Sequence, residues 1–489
     1  MSGARAPLRR VVVAGSGQVG VLAAIGLKRA VPGCEVIVLD LPTGPLDFAD
    51  FAASAMPATN RLHEQLRISE DAILADAEGS HRLLIRYFGW GGEGQHGAQP
   101  YGAVGHAGPG GQFADRWGGG SRAETQAHPS SLAEILADSG RFRPPPDGAE
   151  NPLAPVEYGL RWNPRAYRSL LIAEAQKLGI AYIKGPIDAV RIDEDGVKAL
   201  EIGSHGALSA DLFVDCSGAE ARLLSALPGH EAEDWGAVLP DRRILIAPPG
   251  APMIALEDRI TLSKLGWVAE FAGRAGLQVI MGAASGAAED GIRAMLGAPA
   301  IYDRTVRAGC AKRAWRGNVI ALGDAAARFE PLGFYHLDLA HRMLALLLEL
   351  LPGREIEPLE RAEFNRRSRL MMRAVRDVIA LHYAAPEAGL VFGAHEKPAS
   401  LVSTIDQFTR RGRLPFQEEG ALMGNERIAL LQALGFARGT PPQERVVDAR
   451  QADEARRVFA EQARRALADA PPYAPWLLRV AASRRMGRS

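Results

Sequence analysis

The stretch that decides the fold is Gly15-Ser16-Gly17-Gln18-Val19-Gly20, which has the glycine spacing GxGxxG. It follows the apolar run 10–14, opens a helical pattern over 18–30, and precedes a second strand pattern that ends at Asp40. In such a βαβ unit the three glycines serve the tight turn, the approach of a diphosphate and the packing of helix on strand. The closing acid accepts hydrogen bonds from ribose hydroxyls. The pattern therefore predicts dinucleotide binding, with a purely structural glycine turn as the alternative.

Two later segments repeat the pattern of an apolar strand that runs into a small turn with an acid. Residues 212–214 lead into Asp215-Cys216-Ser217-Gly218, and residues 319–322 lead into Gly323-Asp324. In two-part FAD proteins such a late strand returns to the cofactor, and its Asp binds the ribityl chain. An Asp that caps the following helix is the alternative, and one side chain can do both. Together the three segments favour FAD over NAD.

Composition excludes several classes of protein. The chain has 489 residues, is 47% hydrophobic and 23% charged, and carries 57 basic and 57 acidic side chains. These values are typical of a globular protein, and the missing basic excess argues against a nucleic-acid partner. The three cysteines form no CxxC pair, and no metal site is predicted. No run reaches the length of a membrane span, so we expect no membrane partner and a cytoplasmic protein.

The change from mixed α/β to helical patterns gives the predicted organisation. We predict a core over 1–355, with a substrate β-layer at about 225–300 inserted in it, and a helical substrate-capping region over 356–489. Within the core the patterns predict one helix over 57–75 and one strand over 82–88. The glycine-rich segment 89–121 is either an ordered loop close to a ligand or a flexible linker.

Taken in order, a series of segments resembles the flavin-dependent tryptophan halogenase family over essentially the whole chain. The segments are GSGQVG, IRYFGW, QPYG, RWNPRAY, ADLFVDCSG, LGW, ALGDAAARFEPL and STIDQFTRRGRLPFQEEGAL. The resemblance implies an α/β fold: an FAD-binding Rossmann-like domain, a mixed β-sheet substrate layer and a helical C-terminal region. It also implies FADH2 supplied by a separate NAD(P)H-dependent flavin reductase. In that family a flavin hydroperoxide oxidises halide to hypohalous acid, which reaches an essential Lys beside the substrate with the help of a Glu.

The chain departs from this family at the residues that carry halogenation. Arg82 stands where the family has its Lys, and no lysine occurs between Lys28 and Lys177. After Glu330-Pro331-Leu332, Gly333 replaces the catalytic Glu. Of the family's Trp-x-Trp-x-Ile-Pro element only the first Trp, Trp267, is present. An arginine stays protonated and is a weak nucleophile, so we expect Lys-dependent halogenation to be lost.

The candidate site residues fall into three groups. Arg82 and His336 are the catalytic candidates, although a surface arginine and a histidine packed at a helix start are the alternatives. Four aromatic residues are candidates for a wall around an aromatic substrate, with core packing as the commoner role: Trp90, Tyr101, Trp267 and Tyr335. The cofactor candidates are Gly15, Gly17, Gly20, Asp40, Gly323, Asp324 and Leu332.

These residues support one leading function and two alternatives. The leading one is oxidation of an aromatic or indole-like substrate by a flavin hydroperoxide, with Arg82 and His336 near the reacting atoms. The first alternative is a tryptophan-type halogenase with an altered active site. The second is a catalytically silent FAD-binding protein. A homodimer is the ordinary expectation for the assembly.

Overall fold

The computed structural model describes residues 6–44, 46–102, 131–145, 151–440 and 449–486. The part of the predicted segment 89–121 that lies beyond residue 102 is therefore outside the described residues. None of the described helices combines the length and the apolar character that a membrane crossing needs. The described α-helices are α1 Gln18–Ala30, α2 Phe48–Phe51, α3 Ala58–Gln65, α4 Glu70–Asp76, α5 Leu132–Asp138, α6 Pro164–Lys177, α7 Glu289–Leu296, α8 Tyr335–Glu349, α9 Pro358–Tyr383, α10 Pro386–Phe392, α11 Ala399–Arg411, α12 Gly424–Ala433, α13 Ala449–Asp469 and α14 Tyr473–Met486.

Short strands alternate with these helices in the first three quarters of the chain. They are β1 Arg10–Ala14, β2 Glu35–Asp40, β3 Ser80–Arg82, β4 Leu84–Phe88, β5 His96–Pro100, β6 Gly159–Arg161, β7 Ala181–Lys184, β8 Ile187–Ile192, β9 Val197–Ile202, β10 Gly206–Leu208, β11 Leu212–Asp215, β12 Ala232–Asp234, β13 Arg242–Ile246, β14 Glu257–Ser263, β15 Gly266–Phe271, β16 Gln278–Ala283, β17 Tyr302–Val306, β18 Gly309–Ala311, β19 Trp315–Arg316, β20 Val319–Ala321 and β21 Ala327–Arg328. Short 3-10 turns at Gly323–Ala325 and Leu332–Phe334 connect the last strands to α8.

Contacts along the chain group it into two compact units, each made of three segments. Unit 1 comprises Met1–Glu78, Trp162–Asp241 and Thr305–Arg376. Unit 2 comprises Gly79–Arg161, Arg242–Arg304 and Asp377–Ser489. The residue-355 boundary expected from the sequence falls between α8 and α9, whereas the two units divide within α9. The domain ranges 1–355 and 356–489 stay a prediction.

Unit 1 is built on a six-stranded sheet in the order β19-β20-β11-β1-β2-β7. All neighbouring strands from β20 to β7 pair in parallel, and β19 adds an antiparallel edge. The central strand β1 is apolar on both faces, because helices cover a parallel sheet from both sides. In this order β1 lies between β2 and β11. Because β1 and β11 are parallel, the turns that follow them meet at the carboxyl ends of the strands.

Unit 2 contains a seven-stranded mixed sheet in the order β17-β13-β16-β15-β14-β4-β5. The strands from β13 to β14 form antiparallel pairs, β14 runs parallel to β4, and β4 pairs antiparallel with β5. A separate two-stranded ribbon joins β3 to β6. Residues 242–283 supply β13 to β16, and β4 and β5 extend their sheet.

Three local predictions need correction. The single helix expected over 57–75 is two helices, α3 and α4, because Leu66–Ser69 break the helix and Ser69 caps the second one. The strand expected over 82–88 is divided at Leu83, so that Arg82 belongs to β3 and not to the larger sheet. The start of the segment 89–121 is not a loop throughout, since residues 96–100 form strand β5.

Candidate functional site

The glycines of the first turn are required by close approach of the backbone. Gly15 has φ 120°, and a Cβ atom there would collide with the carbonyl oxygen of Cys216. A Cβ atom on Gly20 would collide with the carbonyl oxygen of Gly15, which lies at the end of β1. Helix α1 therefore packs on β1 at a distance that only glycine permits, as a diphosphate-binding turn requires.

The third glycine, Gly17, faces a carboxylate. A Cβ atom on Gly17 would overlap the side chain of Asp50, and the Val19 amide donates to Asp50 Oδ1 at 3.2 Å. Asp50 thus occupies the N-terminus of α1, where free N–H groups and the helix dipole attract an anion. Burial raises the pKa of Asp50 to about 7. Asp50 could not be recognised from the sequence. It is one of the acids in the segment after β2, and no motif marks it.

Two further carboxylates bind backbone amides of the same turns. The Ala219 amide donates to Asp47 Oδ1 at 2.8 Å, and a Cβ atom on Gly218 would overlap the same carboxylate. The Ala49 amide donates to Asp324 Oδ2 at 2.7 Å. Burial raises the pKa of Asp47, and it raises the pKa of Asp324 well above its ordinary value. Asp324 lies inside a 3-10 turn without capping it, so the helix-cap alternative is wrong.

Asp40, the acid that closes β2, lies in a small polar cluster. Its Oδ1 accepts from the Ser16 hydroxyl and, at 3.1 Å, from Arg168 Nη2. Arg168 also donates to Ser16 Oγ at 2.7 Å, so one guanidinium on α6 joins the glycine turn to the acid. Arg168 stands within the RWNPRAYR stretch, and its position on the exposed side of a helix gave no reason to single it out.

The donor set of these turns fits an FAD diphosphate. The free N–H groups at the start of α1, the clearance over Gly17 and the acid at the end of β2 match what a dinucleotide needs. The Asp50 carboxylate, whose oxygens accept hydrogen bonds as phosphate oxygens do, lies at the N-terminus of α1. A bound diphosphate would replace Asp50 at the Val19 amide, while Asp40 would take the ribose hydroxyls.

The turn that precedes α8 has glycine at the position of the family's glutamate, and its backbone conformation favours glycine there. Gly333 has φ 76° and Phe334 has φ 57°, so both residues adopt left-handed backbone conformations. A Cβ atom on Gly333 would collide with the ring of Tyr335. Leu332 and Tyr335 are fully buried. The roles predicted for Leu332 at the flavin and for Tyr335 at the substrate stay predictions.

His336 is a packed, neutral histidine in unit 1. Its Nε2–H donates to the Phe329 carbonyl at 3.0 Å, and its ring stacks on Phe329 with centroids 4.0 Å apart. Phe48 packs on it from another direction. Burial lowers the pKa of His336 to about 3, so the imidazole is not poised to exchange protons near neutral pH. The geometry is that of the packed alternative, and the catalytic role stays a prediction.

Arg82 is a buried ion-pair residue in unit 2, not a surface arginine. Only 1% of it is exposed, and Nη1 donates to Asp258 Oδ2 at 2.8 Å. Arg161 Nη1 donates to the other oxygen of Asp258 at 2.7 Å. The guanidinium of Arg82 also lies over the ring of Tyr101, 5.3 Å from its centroid. Two arginines therefore share one carboxylate in the interior of this unit.

The other aromatic candidates of unit 2 belong to its core. Trp90 and Trp267 are fully buried, and Tyr101 is 1% exposed. Trp90 Nε1 donates to the Ile260 carbonyl at 3.2 Å, and Trp267 Nε1 donates to the Tyr383 hydroxyl at 3.1 Å. Buried indole N–H groups satisfied in this way are typical of packing. Their predicted contact with a substrate stays a prediction.

Comparison with known proteins assigns the family. The model of the tryptophan halogenase family matches residues 10–449, and the chain belongs to this family. A tryptophan 6-halogenase from Streptomyces toxytricini, SttH, is 24% identical over 76% of this chain and 78% of its own length. BrvH, a flavin-dependent halogenase from Brevundimonas sp. BAL3, shares the fold with a TM-score of 0.83, 24% identity and coverage of 97% of this chain and 99% of its own.

The resemblance, the predicted α/β fold and FAD as cofactor are thereby confirmed. A second solved halogenase, Xcc4156 from Xanthomonas campestris, has a TM-score of 0.84 at 23% identity, over 97% of this chain and 98% of its own. Proteins of this family are FAD-dependent oxidoreductases, and this chain is an enzyme of that kind.

Proposed function

We propose that the protein oxidises an aromatic, indole-like small molecule with dioxygen and reduced FAD, and that it does not carry out Lys-dependent halogenation. One observation carries the second half of the proposal. Arg82, at the position of the family's lysine, is buried and held 2.8 Å from Asp258. A guanidinium in an ion pair keeps its proton and is a poor nucleophile, so it cannot relay an oxidised halide as an amine does.

The turn before α8 supports the same conclusion. The family's Glu position is Gly333, and a side chain there would collide with Tyr335. Neither partner of the Lys–Glu pair is therefore available in this chain. The remaining signature, the glycine turns and the acid Asp40, serves the cofactor alone.

Reduced FAD supplies the two electrons with which dioxygen is activated. In the proposed overall reaction one oxygen atom enters the substrate, the other leaves as water, and FADH2 becomes FAD. The start of α1 would hold the diphosphate of FAD, and Asp40 would accept from its ribose hydroxyls. His336 donates to the Phe329 carbonyl, and burial lowers its pKa, so it does not take up a proton near pH 7.

We infer that a separate NAD(P)H-dependent flavin reductase supplies the FADH2. The GxGxxG turn over 15–20 leads from a strand into a helix, and FAD accounts for it, whereas the same glycine spacing over 89–94 leads into strand β5. A second nucleotide fingerprint for NAD(P)H was not found in the sequence, which favours a partner for the reduction step.

A halogenase with an altered active site is the second candidate. The names of the relatives favour it, since the tryptophan 6-halogenase and the solved structures are described as halogenases. In this case the chain would have to handle an oxidised halide without an amine at position 82.

A turnover assay with and without bromide separates the candidates. Purified holoenzyme, a flavin reductase, NADH and indole are incubated under isotopically labelled dioxygen, with catalase to remove free peroxide. We expect labelled oxygen in the product and no brominated product at any bromide concentration. Brominated indole in an amount that rises with bromide would establish the second candidate. FAD binding without turnover of indole or related aromatic probes would identify a silent flavoprotein.

A further inference from the structure

Three aromatic side chains are stacked and hydrogen-bonded in the interior of unit 1. Trp162, Tyr167 and His63 are each 3% exposed or less. The rings of Trp162 and Tyr167 stack with centroids 4.3 Å apart and an angle of 26° between their planes. The Tyr167 hydroxyl lies 2.7 Å from His63 Nε2. An indole in face contact with a phenol, and a base on the proton of that phenol, form an arrangement that can transfer an electron and a proton together.

The local sequence places the two larger rings side by side. Asn163 accepts from two amides of the first turn of α6 and caps this helix. The cap fixes Trp162 directly before the helix and Tyr167 in its first turns. His63 lies in the last turn of α3, and its ring centroid is 5.8 Å from each of the other two centroids. The three rings therefore contact one another as a single cluster.

One member of the cluster is fixed to the cofactor-binding turns. Trp162 Nε1 donates at 2.9 Å to Oε1 of Gln18, a residue of the GxGxxG turn. Gln18 Nε2 in turn donates to the carbonyls of Ala49 and Ala52, at 2.6 Å and 3.0 Å. The Ala49 amide binds the carboxylate of Asp324. Trp162 is therefore the ring that joins the cluster to the segments of the FAD site.

His63 is a neutral base for the Tyr167 proton. Burial lowers the pKa of His63 to about 3, and the nearby His341 adds to this shift. Burial also raises the pKa of Tyr167, so the phenol keeps its proton in the resting protein. A phenol that loses an electron becomes a strong acid, and a buried one must pass its proton to a hydrogen-bonded base. At 2.7 Å, His63 Nε2 is within the range for direct proton transfer.

We propose that Trp162, Tyr167 and His63 form a redox relay that takes up oxidising equivalents formed near the cofactor-binding turns. The inference rests on the proposed function, in which reduced FAD reacts with dioxygen. When no substrate is oxidised, the same reactants give hydrogen peroxide, whose O–O bond yields an oxyl radical on uptake of one electron. The relay ends the reaction of such a radical on Tyr167 and thereby protects the FAD site from oxidation.

The relay moves one electron and one proton. The oxyl radical takes one electron from the Trp162 indole and becomes hydroxide. Tyr167 returns one electron to the indole, its O–H bond breaks, and the proton moves to His63 Nε2. The sum converts the radical, Tyr167 and neutral His63 into hydroxide, a phenoxyl radical and an imidazolium ion. A thiolate from solution then supplies the electron that restores Tyr167 and becomes a thiyl radical, while His63 returns the proton.

Anaerobic illumination of the FAD-loaded protein tests the relay without substrate or dioxygen. Excited FAD is a one-electron oxidant, and freezing under light traps the side-chain radical for high-field electron paramagnetic resonance. We expect a phenoxyl radical whose spectrum is shifted by a hydrogen bond to a cation, the imidazolium of His63. Absence of a radical, or a phenoxyl radical without this shift, overturns the inference. The shifted radical in a protein that oxidises no aromatic probe would count against the proposed function and leave the relay intact.

Variants assign the radical to its residues. Tyr167→Phe keeps a ring against Trp162 but has no hydroxyl, and we expect it to lose the phenoxyl signal. Tyr182→Phe is the matched control, because the Tyr182 hydroxyl is buried without a hydrogen-bond partner among the described residues, and it should keep the signal. Trp162→Phe should lower the yield of the radical, whereas Trp315→Phe should not, since the ring of Trp315 packs on Phe364. An unchanged signal in Tyr167→Phe or in Trp162→Phe overturns the proposal.

Turnover without substrate separates a protective relay from packing alone. The protein is incubated with a flavin reductase, NADH and dioxygen, and quenching of flavin fluorescence then measures the fraction that still binds FAD. We expect Tyr167→Phe to lose FAD binding faster than the wild type and Tyr182→Phe. Equal losses in the three proteins would mark Tyr167 as a packing residue and overturn the protective role. If Tyr167→Phe does not fold, the radical spectrum of the illuminated wild type still decides.

Discussion

The two units of the chain differ in the charged side chains that they bury: unit 1 buries acids, whereas unit 2 buries arginines together with acids. Among the described residues of unit 1, the Asp, Glu, Lys and Arg side chains that are buried are all acids: Asp47, Asp215, Asp324, Glu330 and Asp338. The buried arginines of the described chain all lie in unit 2: Arg82, Arg161, Arg242 and Arg427. This unit also buries three acids, Asp258, Asp377 and Glu426.

The two units bury different charged side chains because they provide different hydrogen-bonding partners. In unit 1 the glycine turns present free backbone N–H groups, and carboxylates accept from them: Asp215 from Leu223 and Leu224 at 2.9 Å, Asp324 from Ala49. A guanidinium can only donate, so the arginines of unit 2 need carboxylates, carbonyls or rings. The turns of unit 1 therefore bind carboxylates through their backbone amides, whereas the buried arginines of unit 2 donate to carboxylates and carbonyls.

The largest expected effect tests the charge balance of unit 2. Asp258→Asn leaves Arg82 and Arg161 buried around a neutral amide, and we expect it to lower the free energy of unfolding by about 3 to 5 kcal/mol. Denaturant unfolding measures the change. Asp303→Asn is the control, because Asp303 pairs with Arg243 at the surface, and its loss should stay below about 1 kcal/mol. Equal losses of unfolding free energy in the two variants would mean that the buried Asp258 contributes no more to stability than an ion pair at the surface.

The next effect tests the acids of unit 1 through pH. The folded pKa of Asp50, about 7, lies above its ordinary value of 3.8. The folded protein therefore binds the extra proton, and this group makes stability fall as the pH rises from about 4 to about 7. We expect Asp50→Asn to remove that decline and to gain about 1 to 3 kcal/mol at about pH 8. Denaturant midpoints across this range provide the measurement.

The same variant reports on the cofactor. Because Asp50 holds the Val19 amide, removal of its charge should strengthen FAD binding about threefold to tenfold, measured by quenching of flavin fluorescence. Asp195→Asn, in an exposed turn, is expected to change neither FAD affinity nor the pH dependence of stability. Weaker FAD binding in Asp50→Asn would show that this carboxylate helps the cofactor instead of competing with it.

The contrast also explains which parts of the site could be predicted from sequence. Gly15, Gly17, Gly20 and Asp40 were predictable because a glycine turn is local in sequence and its chemistry depends on spacing. The pairing of Arg82 with Asp258 was not predictable, since it joins distant segments through the ribbon of β3 and β6.

Arg427 was missed for a related reason. A buried arginine and an exposed one look alike in a sequence, and only the fold shows that Arg427 is 7% exposed. His336 shows the converse case, because its place in the motif indicated chemistry while the ring of Phe329 and the Phe329 carbonyl show that it is packed.

A smaller effect probes the position of the family's lysine directly. Arg82→Lys keeps the charge beside Asp258 but loses the planar fork, and we expect a loss of about 1 to 2 kcal/mol in unfolding free energy. We also expect no brominated product, because the glutamate of the family is still missing at Gly333. Product analysis by mass spectrometry in the presence of bromide is the measurement. Bromination by this variant, but not by the wild type, would show that the amine alone was missing.

The smallest effect concerns His336, which unit 1 buries in neutral form. Its folded pKa of about 3 lies below the ordinary value of 6.5, so the unfolded chain binds the extra proton and stability falls as the pH drops from about 6.5 toward 3. His336→Gln retains an N–H donor for the Phe329 carbonyl. We expect a change within about 1 kcal/mol at about pH 7 and a shallower loss of stability in acid, measured by urea unfolding. The exposed His205→Gln should leave the acid dependence unchanged. If instead His336→Gln abolishes turnover at neutral pH with FAD still bound, the histidine acts in the reaction and not only in the packing of unit 1.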